Sequence, residues 1–85
     1  MHFEDAVILA VLRSSGLTMR QLCTKLFAFY GNNEAASRAP IRMLHLEQAG
    51  FVDKRGLPAV YSITSSGVKA KEDFDYAIEQ YKKLD

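Results

Sequence analysis

The stretch RAPIRMLHLEQAGFVDKRGLPAVYSITSSG, residues 38–67, changes its periodicity twice, at Gly50 and again at Gly56-Leu57-Pro58. Up to Ala49 it has the spacing of a helix. Proline lacks the donor needed inside a helix but is tolerated in the first turn, so Pro40 predicts a start just before it, with Ser37 as N-cap. Gly50 then reads as the C-cap, with Phe51 folding back toward Leu46. Beyond it, Phe51–Arg55 and Ala59–Thr64 read as two short strands joined by the Gly-Leu-Pro turn. In the second strand Tyr61 and Ile63 point to one face and Val60 and Ser62 to the other, as period two requires.

Outward from this core, the other elements are helical. Seven consecutive apolar residues, Ala6–Leu12, fit a buried strand as well as a helix. The acidic first turn of Glu4 and Asp5, with Arg13 at the far end, favours a helix over about residues 3–13, and Gly16 is placed to end it in the left-handed conformation. Thr18 and Gln21 have capping-box spacing and open a second helix. Its apolar face is Met19, Leu22, Leu26 and Phe29, and Gly31 with Asn32 and Asn33 ends it. EAAS then leads into the third helix, a longer connection than the tightest helix-turn-helix allows. Thr64, Ser65 or Ser66 caps a last helix running to about Leu84.

The fold class is therefore mainly α with a small β-hairpin, α+β, in the outline of a winged helix-turn-helix. One domain spans residues 1–85, with a core over 17–64. Helix 1 and the helix over 65–84 carry more apolar surface than so short a chain covers by itself. Val7, Ala10, Val11, Phe74, Ile78 and Tyr81 are accordingly expected to form the interface of a two-fold homodimer. The alternative is a last helix lying along its own domain.

Composition narrows the function. With 48% hydrophobic and 25% charged residues, and no apolar run long enough to span a bilayer, the chain reads as a cytoplasmic globular protein without membrane contact. AVILAVL follows Glu4 and Asp5 rather than basic residues, unlike a signal peptide. The single Cys23 excludes an internal disulfide and a thiolate zinc cluster, and reads as a small hydrophobe on its helix. His2 and His45 make no metal site of recognisable spacing. No nucleophile elbow or phosphate-cradling glycine loop is present, and Asp73 and Asp75 read as a solvated face. The chain is thus read as a non-enzyme with no cofactor.

Charge is uneven along the chain. Residues 13–55 carry seven basic side chains against three acidic ones, a net of +4, whereas residues 56–85 have a net of −1. Arg38, Arg42 and His45, at i, i+4 and i+7, form a polar stripe on the third helix. An arginine fork suits a guanine edge or a phosphate, and Ser37 at the helix start can donate to a phosphate. Lys54 and Arg55 sit on the hairpin, where contacts to a nucleic-acid backbone are expected. The same stripe is equally the solvated side of an amphipathic helix.

Two segments carry a resemblance. RMLHLEQAGFV is similar to a recognition helix that ends in Leu-x-x-x-Gly and two apolar residues, and VYSITSSG is similar to the Tyr-x-Leu-Thr-x-x-Gly that closes a wing. The matching residues are Leu46, Gly50, Phe51, Val52, Tyr61, Ile63, Thr64 and Gly67. The chain resembles the winged helix-turn-helix transcription regulators of the PadR, MarR and ArsR groups over roughly residues 17–70. That resemblance implies a dimeric repressor on a palindromic duplex, with the third helix in the major groove and the wing on the backbone. By position it turns Ser37, Arg38, Ile41 and His45 toward DNA with Arg42 nearer the edge, whereas the polar stripe centres Arg42 and puts Ile41 in the core. The DNA-binding set taken from both is Ser37, Arg38, Arg42, His45, Lys54 and Arg55; no small-molecule effector is named by these residues. The alternative is a winged helix used as a protein-interaction adaptor or inhibitor.

Overall fold

In the computed structural model, which describes residues 1–84, the seven apolar residues near the N-terminus lie in a helix, α1 (Phe3–Ser14). The Asp5 carboxylate accepts the free backbone N–H of His2 at 3.2 Å, tying down the first turn. α1 runs through the middle of the domain and packs against α2 (Met19–Tyr30), α3 (Glu34–Gln48), α4 (Ser65–Lys82) and the strand Val60–Ile63. Ile8 and Leu9 are sealed, with exposures of 1% and 0%, so its continuous apolar run is spent mainly inside its own domain. The side bearing Phe3 and Ala10 faces outward, with Val11 partly buried beside it.

Three strands form an antiparallel sheet in the order β1-β3-β2, from β1 (Leu17–Thr18), β2 (Val52–Arg55) and β3 (Val60–Ile63). The hairpin pairs Val52 with Ile63 and Arg55 with Val60. Val52 is buried, and Tyr61 and Ile63 pack against the helical core, as their alternation requires. The third strand, β1, was not expected, because two residues carry no periodicity and pair only with the distant Val60 and Tyr61. Gly16 permits that approach. A Cβ there would stand 2.9 Å from both Ser62 Oγ and Val60 Cγ1, and the C-cap of α1 is the extended Ser15 rather than a left-handed glycine.

The joint between α2 and α3 is shorter than the sequence suggests. Thr18 and Gln21 make the reciprocal capping box, at 2.9 and 3.2 Å. At the other end Gly31, with φ of 74°, closes α2 through a 2.8 Å bond to the Phe27 carbonyl. α3 then begins at Glu34, where the Asn32 side chain accepts the Glu34 N–H at 3.0 Å. The residues EAAS are the first turn of α3 and not a connection. Ser37 is consequently no N-cap, and its hydroxyl donates to the Glu34 carbonyl at 2.8 Å.

Pro40 therefore sits inside α3, where its missing N–H leaves the Ala36 carbonyl without its helical partner. Cys23 of α2 supplies a donor. Its Sγ lies 3.6 Å from that carbonyl, so the lone cysteine, partly covered by the core, also repairs the proline defect. Of the expected apolar face of α2, Leu22 and Leu26 are buried and Met19 is partly so, whereas Phe29 is 61% exposed.

One node joins α3, the hairpin and α4. Gly50 takes φ of 82°, and the Phe51 N–H bonds back to the Leu46 carbonyl at 2.9 Å. Thr64 caps α4 by accepting the Gly67 N–H at 3.0 Å, while its hydroxyl donates to the Gly50 carbonyl at 2.6 Å. Gly67 presses against this junction. A Cβ there would collide with the Phe51 carbonyl oxygen and stand 2.8 Å from Ile63 Cγ1.

Candidate nucleic-acid interface

α3 is seated on the core through Ala35, Ala39, Met43 and Leu46, a stripe at i, i+4, i+8 and i+11. The opposite face is thereby set. It presents Ser37, Ile41, Leu44, His45 and Gln48 to solvent, with Ile41 50% and Leu44 45% exposed. Ile41 is thus not in the core, contrary to the polar-stripe reading, because the buried register is carried by the two alanines and Met43.

The arginines turn to one side of this face, toward the first turn of α1. Arg38 binds Glu4 through Nε, at 3.0 and 3.2 Å to the two carboxylate oxygens, and through a terminal nitrogen at 2.8 Å. That hydrogen bond raises the Arg38 pKa above its ordinary value, so it stays a cation. Arg42 is more covered, with 23% of its side chain accessible, and its Nε lies 3.9 Å from Asp5 Oδ1. Both atoms are buried without a hydrogen-bond partner, so the pair is held by charge alone. Arg42 is therefore at the edge of the face and not its centre.

Lys54 and Arg55 end β2 at the hairpin tip, beside the fully exposed Leu57. Arg55 bonds the Asp53 carboxylate at 2.8 Å with 85% of its side chain accessible, so the contact holds it only weakly. Among the described residues no hydrogen bond or ion pair joins Lys54 or Arg55 to the α3 group. Ser37 and His45 share the open side of α3, Arg38 and Arg42 are held along its edge by Glu4 and Asp5, and the wing pair stands apart. Glu4 and Asp5, as partners of the arginines, were missed by sequence reasoning. Their signal was an acidic first turn, which helix-dipole logic explains without any partner.

A second surface lies on the other side of α1. Val7, Ala10, Val11, Phe74 and Ile78 line an open groove of ≈ 570 Å³ between α1 and α4, with Phe3 and Phe29 at its edge. Tyr81, 65% exposed, stays outside it. On α4, Lys69 pairs with Asp73 at i, i+4 on the solvated face, whereas the Lys71–Asp75 pair borders the groove, with the Lys71 side chain largely covered. No helix of the described residues is long and apolar enough to cross a membrane.

No family model matches the chain, and no curated protein does. Among solved structures, the one described as "The complex structure of hsRosR-S4" is similar with a TM-score of 0.81 at 20% identity, over 94% of this chain and 73% of that one. The four helices, the three-stranded antiparallel sheet and this likeness establish a winged-helix fold.

Proposed function

We propose that the protein is a sequence-specific DNA-binding transcriptional regulator, a repressor acting as a homodimer, with α3 in the major groove and the hairpin on the flanking backbone. The observation that carries this reading is α3 itself. It is anchored along one face, free along the whole opposite face, and followed directly by a hairpin ending in Lys54 and Arg55. Arg38, held by Glu4 at the edge of that face, is available to a phosphate once released, and exposed Arg20 and Lys25 on α2 add positive charge. The groove between α1 and α4 supports a two-fold contact between copies, and a palindromic site follows if the two α3 helices stand about 34 Å apart.

Selection of bound duplexes from a random pool tests this directly. An enriched palindrome whose binding weakens steeply with salt, and weakens further in Arg38→Ala with Arg42→Ala, is the expected result. Absence of any enriched duplex would sink the proposal. One observation favours a second reading, a protein-interaction module: the middle of the free face of α3 is Ile41 and Leu44, which are apolar. Under that reading no duplex is selected, and Ile41→Asp abolishes capture of a protein partner.

A further inference from the structure

The free face of α3 is not made of the side chains that read guanine. Both arginines on the helix are drawn toward the first turn of α1, Arg38 in a hydrogen-bonded pair with Glu4 and Arg42 against Asp5. What remains at the centre is a pair of half-exposed aliphatic side chains, Ile41 and Leu44, with Ser37 before them and His45 and Gln48 after them. An apolar pair framed by hydrogen-bonding residues needs a partner surface that is polar at its margins and apolar in the middle. Of the four bases, only thymine offers the major groove an apolar group, its C5-methyl; the other edges there are donors and acceptors, which an aliphatic side chain would desolvate without compensation.

Resting on the DNA-binding reading above, we propose that Ile41 and Leu44 are specificity-determining residues that recognise thymine methyl groups, so the half-site carries two neighbouring A·T pairs beneath the middle of α3. The spacing fits. Three helical residues separate the two side chains by about 4.5 Å along the axis, close to the roughly 3.4 Å repeat of stacked bases. Ser37, His45 and Gln48 then bond polar edges or phosphates on either side, and Arg38, released from Glu4 or bridging from it, grips the backbone rather than a guanine. The positive charge of Arg20 and Lys25 on α2, and of Lys54 and Arg55 on the wing, suits an anionic partner better than an apolar protein surface.

The test starts from the duplex enriched by the full chain out of a random pool. Each thymine of its half-site is replaced in turn by deoxyuracil, which removes the methyl group and nothing else. Two adjacent base pairs are expected to lose about fourfold in affinity each on loss of their methyl. The loss at one of them should vanish in Ile41→Ala, and at the other in Leu44→Ala, the coupling expected of direct contact. Both substitutions are on the surface, so circular dichroism should be unchanged. A specific duplex indifferent to every deoxyuracil, or losses that persist unchanged in both variants, overturns the inference and leaves the regulator reading standing. If no duplex is enriched, the regulator reading falls and this inference with it.

Discussion

α3 and α4 are both amphipathic, yet α3 buries four of its 15 residues within its own domain and α4 buries only Gly67 of its 18. Every residue from Asp75 to Leu84 is exposed. α3 is a part whose position is over-determined, by its alanine and methionine stripe, by Cys23 at its proline and by Phe51 at its end. α4 is fixed at its root by Thr64 and Gly67 and rests on α1 over its first half, while its outer half stands free. A helix held along its whole length can present a defined surface, whereas one bare over its outer half leaves apolar positions there for another molecule to cover.

The largest expected effect falls on that root. Gly67→Ala forces a Cβ into the Phe51 carbonyl, and should destabilise the fold by about 3 kcal/mol, seen as a marked drop in melting temperature. An unchanged melting temperature would mean that the junction at Gly67 is not the anchor of α4. Next is the face of α4. Phe74→Asp with Ile78→Asp should weaken the proposed dimer by about 30-fold, read by light scattering across a dilution series, while the monomer keeps its helicity. A dimer untouched by these changes would move the contact away from the groove. Smaller again is the repair of α3: Cys23→Ala orphans the Ala36 carbonyl and should cost about 1 kcal/mol in denaturant unfolding. The smallest effect is expected from Glu4→Gln. Releasing Arg38 from its partly exposed partner should leave stability nearly unchanged and raise affinity for the selected duplex by about threefold.

Local signals carried most of the fold. Thr18 with Gln21, Gly50 with Phe51, and Thr64 with Gly67 are short-range devices whose geometry follows from neighbouring residues, and each stands where its residue type predicts. What escaped was long-range. Pro40 looked like a helix start because nothing near it announces that Cys23 will satisfy the Ala36 carbonyl, and β1 exists only because residues 17–18 meet residues 60–61. The candidate site was legible in the same partial way. Helical spacing put Arg38, Arg42 and His45 on one stripe, but it does not say that α1 lies along one edge of that stripe. Glu4 and Asp5 take the two arginines there, and Ile41 is left in the open.

The node of Thr64, Gly67 and the Phe51 carbonyl is also the pin at the foot of a long arm. At about 1.5 Å per residue α4 extends about 27 Å from it, so a tilt of about 10° at the pin swings the far end through about 5 Å. The same three residues sit at the close of α3 and the base of the hairpin. A molecule that grips and tilts the outer half of α4 would therefore load the frame in which α3 is set, through the one node that the two helices share.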